Sequence, residues 1–320
     1  MSTACQIIMF WVFIKTITVF LYPLIGPHPA PSNGEDLGEA LLVPLIIFTT
    51  MYYSTDTEMK IAQQELTITS NILNREVTCT LLMPEEGTVA EPLNLLLLND
   101  GQELENLKLV ETLENLYERN CLKPLLVVAI HAGEDRLQEY GVAGKPDFKK
   151  RGAKADLYTR FIITELLPFI KEHTGIDDFA GTAFAGFSLG GLTAMDIAWN
   201  NPQLFDKVGA FSASFWWRAK DLTKGYTSDD RIMHSVIKNT QGKPGLKFWL
   251  QTGTRDETAD RNKNGIIDSI DDTIDVIKEL LAKGYERPAD IQYLEVLGGT
   301  HDTETWGKAM PKFLQWAFGK

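Results

Sequence analysis

The sequence predicts an α/β fold in which a mostly parallel sheet is covered by helices on both faces. From residue 59 to the C-terminus, uninterrupted apolar runs alternate with segments of helical periodicity. Such runs are typical of parallel strands that are buried on both faces. The composition agrees, because 44% hydrophobic and 23% charged residues in a chain of 320 are ordinary for a globular protein. The active site of such a sheet is expected beyond the carboxyl ends of its strands.

The first predicted elements form an antiparallel hairpin. Residues 60–73 and 75–83 alternate polar and apolar side chains, with Asn74 between them. The pattern then changes to one continuous apolar run from Leu93 to Leu98, followed by a helical pattern from Leu104 to Leu116. The later elements are predicted in the order strand 124–130, helix 155–173, strand 180–187, helix 190–200, strand 207–213, helix 229–239, strand 246–252, helix 272–283, strand 291–297 and a helix from Trp306.

The first 58 residues differ from the rest in composition. They contain one basic residue, Lys15, and five acidic residues, with two apolar runs on either side of a Pro- and Gly-rich stretch. Lys15 interrupts the longer run, and no basic start or convincing cleavage site flanks it, so a membrane span and a signal peptide are both weakly supported. We interpret residues 1–58 as an atypical extension and 59–320 as the folded domain. A start at Met59 predicts a cytoplasmic protein, whereas a retained extension predicts a membrane-tethered or exported one.

Charge and cysteine content exclude several classes of function. The chain has 31 Lys and Arg against 43 Asp and Glu, a formal net charge of -12, which repels the phosphates of nucleic acids. Cys5, Cys79 and Cys121 show neither the paired spacing of a zinc site nor a disulfide framework, which favours a reducing compartment. We expect a small-molecule partner, no nucleic acid, and membrane contact only through residues 1–58. No pattern in the sequence indicates an oligomeric state.

A candidate nucleophile lies where a predicted strand turns into a helix. The pentapeptide GFSLG at 186–190 reads G-x-S-x-G at that boundary. A serine in this turn has a strained backbone, and small residues two positions away on each side let the strand and the helix approach while the hydroxyl projects outward. The pentapeptide alone occurs often by chance. Its strand-turn-helix context predicts that Ser188 is a nucleophile.

A serine nucleophile needs a histidine base and an acid, which in sheets with this turn follow the serine in the order acid, histidine. Two histidines follow Ser188: His234 in a predicted helix and His301 after the last predicted strand. We select His301 and interpret His234 as an exposed helix residue without a chemical role.

The acid is expected just beyond the strand at 246–252. Asp256 follows that strand most closely, and Glu257 and Asp260 are its rivals. A short acid directly after a strand is held better than one further along a loop, which favours Asp256. The alternative is that Asp256 is a solvated loop residue.

The oxyanion of an acyl transfer reaction needs two backbone N–H groups. Leu189 provides one at the start of the helix after Ser188. The second is expected from Gln102, because Asp100-Gly101-Gln102 lets the backbone turn inward after the strand at 93–98. The alternative is a plain turn from strand to helix.

Residues 60–320 resemble the Putative esterase family of α/β-hydrolases, which includes enterochelin esterase-like enzymes, S-formylglutathione hydrolase, and feruloyl and acetyl-xylan esterase modules. The resemblance implies the α/β-hydrolase fold, with Ser188 as nucleophile, Asp256 as acid, His301 as base, and backbone donors at Leu189 and Gln102. It rests on LLLLNDGQ at 95–102, DRLQEY at 135–140, ELLPFI at 165–170, GFSLGG at 186–191, FSASFWW at 211–217, GTRDE at 253–257 and GGTHDTETW at 298–306.

The resemblance also suggests that Phe215, Trp216 and Trp217 line the substrate pocket, although core aromatics are an equally good interpretation. The chain departs from many relatives at Asp100, where they have histidine. Arg136 and Glu139, three residues apart, are interpreted as a structural ion pair near the site, with a substrate clamp as the alternative.

A calcium-type loop follows the candidate acid. The segment 260–271 has the spacing of an EF-hand loop, with glycine at the sixth position and an apolar residue at the eighth. The expected ligands are Asp260, Asn262, Asn264, the carbonyl of Ile266, Asp268 and Asp271. A structural Ca²⁺ there would order the loop and take no part in the chemistry. The alternative is a polar loop closed by an Asn-Gly turn.

Together these features predict a serine hydrolase that cleaves carboxylic or thio esters through an acyl-enzyme and needs no cofactor for catalysis. The loops at 140–155 and 215–230 are expected to set selectivity. A second hypothesis is a catalytically silent α/β-hydrolase fold that serves as a calcium-dependent binding or scaffold module.

Overall fold

A computed structural model describes residues 60–85 and 92–320, so the interpretations of residues 1–58 lie outside the described residues. The described strands form one sheet in the order β1-β2-β4-β3-β5-β6-β7-β8. They are β1 (Ile61–Ser70), β2 (Arg75–Pro84), β3 (Asn94–Asn99), β4 (Leu125–Ile130), β5 (Thr182–Phe187), β6 (Lys207–Phe211), β7 (Lys247–Arg255) and β8 (Ile291–Thr300).

The described α-helices lie between and after these strands. They are α1 (Leu109–Glu118), α2 (Arg136–Glu139), α3 (Ala155–Phe161), α4 (Leu167–Thr174), α5 (Leu189–Asn200), α6 (Ile232–Asn239), α7 (Asp268–Ala282) and α8 (Thr303–Phe318). A π-helical turn (Ile162–Leu166) joins α3 to α4, and short 3-10 turns lie at Gly101–Glu103 and Ser228–Asp230. None of the helices in the described ranges combines the length and apolarity needed to cross a bilayer.

The predicted edge hairpin is confirmed. β1 pairs with β2 in antiparallel register, from Ile61 opposite Pro84 to Ser70 opposite Arg75. Asn74 has φ 53° in the turn, a left-handed conformation that asparagine tolerates better than most residues. β2 is antiparallel to β4, and all further strand pairs are parallel. The mostly parallel sheet predicted from the sequence is therefore confirmed.

The continuous apolar strands supply both faces of the sheet. Side chains alternate along a strand, so Leu95 and Leu97 join one hydrophobic cluster while Leu96 and Leu98 join the other. The first cluster includes side chains of α3 to α7, and the second includes those of α1 and α8. Helices therefore cover both faces, as predicted.

Three element bounds differ from the sequence prediction and affect the site. β8 continues to Thr300, so His301 follows the strand directly. The last helix begins at Thr303 rather than Trp306, because the Asp302 carboxylate caps it by accepting the Thr305 amide at 2.8 Å. The helix predicted at 272–283 begins at Asp268, so the end of the calcium pattern lies on a helix.

Candidate active site

Ser188 lies in the tight turn between β5 and α5. Its backbone has φ 52° and ψ −120°, a sparsely populated region for a residue with a side chain, which costs on the order of 1–3 kcal/mol. Two backbone hydrogen bonds hold it: the Ser188 amide donates to the Phe211 carbonyl at 2.9 Å, and the Ser214 amide donates to the Ser188 carbonyl at 3.0 Å. The predicted strained turn is therefore present, at the carboxyl end of a central strand.

The glycines around this turn are required by close packing. A Cβ on Gly186 would lie 2.5 Å from the carbonyl carbon of Gly190, and a Cβ on Gly190 would lie 2.7 Å from Oδ2 of Asp100. Both distances are too short for any side chain. The end of β5, the start of α5 and the turn after β3 are thus in direct contact.

The candidate acid, Asp256, follows the last residue of β7. The Gly253 amide donates to its Oδ2 at 3.0 Å, while its Oδ1 is buried and has no hydrogen-bond partner among the described residues. Burial raises the pKa of Asp256, opposed by the Gly253 amide, the Ser212 hydroxyl and the charge of His301. One carboxylate oxygen is therefore free to accept from an imidazole.

The two rival acids are placed differently. Asp260 accepts the backbone amides of Asn264 and Gly265, at 3.1 and 2.9 Å, within its own loop. Burial raises the pKa of Glu257, and its neighbouring acids are Asp268 and Asp272 rather than groups beside the serine. This geometry favours Asp256 over both.

His301 lies at the same sheet edge, directly after β8. It is exposed on one side, and its ring packs edge-on against Trp306 with a centroid distance of 5.2 Å. Burial of the ring lowers the pKa of His301, as does the charge of Arg136, whereas Asp256 and Asp302 raise it. The imidazole is therefore electrostatically coupled to the candidate acid.

The three candidate side chains share this edge without being bonded to one another. Across residues 60–85 and 92–320 the nearest recorded partner of the Ser188 hydroxyl is Oγ of Ser214, at 3.4 Å. No hydrogen bond within those ranges joins His301 to Ser188 or to Asp256. Catalytic hydrogen bonds are often long before substrate binds, so this arrangement is compatible with a triad that closes on binding.

Ser212 and Trp306 support the acid and histidine and were missed in the sequence. The Trp306 indole donates to Oγ of Ser212 at 3.0 Å, and the Ser212 hydroxyl in turn lowers the pKa of Asp256. Ser212 has φ 42° directly after β6. Both residues lie inside motifs quoted for the family resemblance, which was the available signal for them.

The two predicted oxyanion donors lack protein acceptors. In the described ranges, neither the Leu189 amide nor the Gln102 amide donates to any group. Gly101 lets this turn approach β4, since a Cβ there would lie 2.6 Å from the Ala129 carbonyl. Asn99, also missed in the sequence, ties the turn to the serine helix by donating to the Gly190 carbonyl at 2.8 Å.

Arg136 and Glu139 do not pair with each other, which corrects the sequence interpretation. Arg136 donates to both carboxylate oxygens of Asp100 at 2.7 Å, and Glu139 accepts from Arg75 at 2.8 and 2.7 Å. The reason is that each side chain finds a two-bond partner in another element, and such bidentate pairs are stronger than a single contact along a helix.

The aromatic run has two buried members and one half-buried member. Phe215 and Trp217 are 1% and 0% exposed, and the Trp217 indole donates to the Lys145 carbonyl at 3.2 Å. The Arg151 guanidinium carbon lies over the Trp216 ring, 5.0 Å from the ring centroid. Burial favours the core interpretation for Phe215 and Trp217, and a substrate contact by Trp216 stays a prediction.

His234 is buried, so its interpretation as an exposed residue is wrong. It is 4% exposed, because α6 packs against α7, where a ring nitrogen of His234 bonds the Asp272 carbonyl at 2.9 Å. Burial lowers the pKa of His234 to about 3. Its recorded partner lies on α7 rather than at the serine turn.

The calcium-type loop is closed by its own side chains. Asp271 accepts the side-chain amides of Asn262 and Asn264, both at 2.7 Å. Asp268 is paired with the Arg261 guanidinium at 3.2 Å. Within the described ranges, no three His, Cys, Asp or Glu side chains are arranged to hold a metal ion. Calcium binding therefore stays a prediction. Arg261, inside the loop, competes with the ion for Asp268.

Comparison with known proteins decides the family. A family model described as "Putative esterase" matches residues 70–317, which is most of the chain. The chain belongs to this family. It has the α/β-hydrolase fold, and the family resemblance seen in the sequence is confirmed.

The similar proteins include several solved esterases. The enterobactin esterase FES from Shigella flexneri, solved in the presence of enterobactin, is 22% identical with a TM-score of 0.61, over 80% of this chain and 58% of that one. This chain thus spans about three fifths of that esterase. A ferulic acid esterase is 18% identical, with a TM-score of 0.59 over 81% and 98% of the two chains.

Two further relatives extend this comparison. The siderophore hydrolase EstB from Aspergillus nidulans is 16% identical, with a TM-score of 0.58 over 79% of this chain and 94% of that one. The uncharacterized protein YbbA from Bacillus subtilis (strain 168) is 24% identical over 66% of this chain and 80% of its own length. At these identities the solved structures establish the shared fold.

Proposed function

We propose that this protein hydrolyses carboxylic esters through an acyl-enzyme, with Ser188 as nucleophile. His301 removes the hydroxyl proton while Ser188 attacks the ester carbonyl, and Asp256 holds the imidazole in the required tautomer. The Leu189 and Gln102 amides receive the developing oxyanion. His301 then protonates the leaving alcohol, and a water activated by the same imidazole hydrolyses the acyl-enzyme.

The observation that carries this proposal is the strained backbone of Ser188 at the end of β5. A serine held at φ 52° has a strained backbone. The surrounding structure maintains such strain mostly at functional positions. Leu189, the next residue, is 5% exposed, and its amide has no acceptor among the described residues. Because buried backbone N–H groups are nearly always satisfied, this amide fits a site built for an oxygen of the substrate.

In this mechanism the His301 side chain moves to bond both Ser188 and Asp256. Its exposed side leaves room for this movement, and the unpartnered Oδ1 of Asp256 is available as the acceptor for its ring N–H. A substrate that excludes water from the edge would strengthen both bonds, because electrostatic interactions grow as the local dielectric falls.

The proposed substrates are small-molecule esters. The similar structures carry the names enterobactin esterase, ferulic acid esterase and siderophore hydrolase, and this range favours a test with varied acyl groups. A p-nitrophenyl ester series of graded acyl length, beside feruloyl esters, acetylated xylan and enterobactin, compares the candidate classes directly.

A fluorophosphonate label tests the nucleophile. We expect one covalent adduct, mapped by mass spectrometry to the peptide containing Ser188. Ser188→Ala should abolish both the label and ester turnover, whereas Ser214→Ala, which changes the adjacent serine, should keep the label.

A folded wild-type protein that neither reacts with the label nor hydrolyses any ester of the panel would instead favour the silent scaffold. A label mapped to Ser214 would mean that Ser214, and not Ser188, is the nucleophile. Circular dichroism and thermal melting of each variant show that the fold is intact.

A further inference from the structure

The turn after β3 contains a buried ion pair that the proposed reaction does not use. Asp100 is 4% exposed, and both of its carboxylate oxygens accept from the Arg136 guanidinium at 2.7 Å. Its Oδ2 also lies against Gly190, at the start of the serine helix. The pair therefore sits between the Gln102 turn and the nucleophile.

We propose that Asp100 is a positioning residue: held by Arg136, it fixes the turn at Gly101 and Gln102 so that the Gln102 amide faces the oxyanion. This inference rests on the proposed serine mechanism. It gives a role to the aspartate that stands where many family members have histidine.

The positioning argument begins with the backbone. Asp100 has φ 63° and ψ 47°, a left-handed conformation that costs energy for any residue with a side chain and persists only where neighbouring contacts impose it. The Asp100 carbonyl accepts the Glu103 amide at 3.0 Å, which begins the 3-10 turn that contains Gln102. The bonds to Arg136 fix the side chain of the residue on which this turn depends.

The chain offers a closely matched control. Glu139 accepts from Arg75 in the same two-bond geometry, at 2.8 and 2.7 Å. The carboxylate side chains of Glu139 and Asp100 are 3% and 5% exposed, and their arginines are 22% and 30% exposed. Glu139 lies on the same short helix as Arg136, but its arginine comes from β2 rather than from the Gln102 turn. Glu139→Gln thus removes an equivalent buried charge without touching the proposed oxyanion site.

The test compares Asp100→Asn, the double variant Asp100→Asn/Arg136→Met, and Glu139→Gln. For each, kcat and KM are measured separately on a p-nitrophenyl ester, and folding is checked by thermal melting. The double variant avoids an unpaired buried charge, so it keeps the test informative where Asp100→Asn folds poorly.

We expect Asp100→Asn to lower kcat by about 10- to 100-fold, the scale of a misplaced oxyanion donor, with KM nearly unchanged. In the double variant kcat should also stay low with KM nearly unchanged, because no carboxylate then fixes the turn. Glu139→Gln should match the wild type in both kcat and KM.

An Asp100→Asn protein whose kcat and KM equal those of Glu139→Gln would overturn the inference. If wild type is labelled at Ser188 and active, that result removes this inference alone. If wild type is neither labelled nor active, the proposed function fails and this inference fails with it.

Discussion

Two histidines follow Ser188 in the chain, and they differ in exposure and in their acidic neighbours. His301 lies at the open carboxyl edge of the sheet, beside a carboxylate oxygen that has no partner among the described residues. His234 lies between α6 and α7, 4% exposed. Burial lowers the pKa of both. Only His301 is also accessible and coupled to an acid, and this combination separates a candidate base from a core histidine.

The surroundings of the two histidines also differ in how they are held. Around His301, the acid and the imidazole are not bonded to each other, so a change there should alter chemistry more than folding. Around His234, Arg231 and Arg261 share the buried Asp272 carboxylate, so a change there should alter folding more than chemistry.

The largest effect is expected from His301→Gln. Removing the base should lower kcat by on the order of 10⁴-fold or more, as for other members of such triads. Because the side chain is exposed, the free energy of unfolding should change by only about 0.5 kcal/mol. Steady-state kinetics and denaturant unfolding measure the two quantities. A loss below tenfold would mean that His301 is not the base.

The second-largest effect is expected at His234, whose pKa should make the free energy of unfolding depend on pH. Its pKa is about 3 in the folded protein and about 6.5 when unfolded. The unfolded state therefore binds more protons below pH 6.5, and stability is present above this pH and lost as pH falls towards 3. The difference of about 3.5 units corresponds to roughly 5 kcal/mol at most.

His234→Gln tests this difference, because glutamine keeps a donor for the Asp272 carbonyl but does not titrate. We expect the variant to lose less stability than wild type between pH 6.5 and 3, measured by denaturant unfolding at each pH. Its kcat at pH 8 should equal that of wild type. Parallel pH curves for the two proteins would show that His234 is not the group responsible.

The smallest effect is expected at the loop that precedes α7. If residues 260–271 bind calcium with modest affinity, an excess of about ten times Kd adds about 1.4 kcal/mol, which raises the melting temperature by about 2–4 °C. Asp260→Asn should remove this increase. Identical melting curves in calcium and in chelator would exclude the site, and the Arg261 contact with Asp268 would then explain why.

Several features of the fold and site were predictable because they are local. The hairpin at Asn74, the serine turn at 186–190 and the succession of strands and helices along the chain depend on alternation, small residues and apolar runs that are visible in the sequence. The Asp302 cap was not recognised, so the last helix was predicted three residues late. The last strand was predicted to end at residue 297, whereas β8 continues to Thr300, and His301 follows it.

Other features depend on partners far apart in the sequence. Arg136 pairs with Asp100 and Glu139 pairs with Arg75, although their spacing had predicted that they pair with each other. Short-range spacing shows which side chains share a helix face. It does not show which other element approaches that face, and this approach decided both ion pairs.

By itself, the sequence determined the fold class, the edge hairpin and the identity of the candidate nucleophile, since backbone preference and hydrophobic periodicity are properties of neighbouring residues. Tertiary structure alone decided which histidine is buried, which arginine holds Asp100, and which two amides have no protein acceptor. These outcomes depend on the packing of separate elements, where burial and charge are set by contacts that no local pattern specifies.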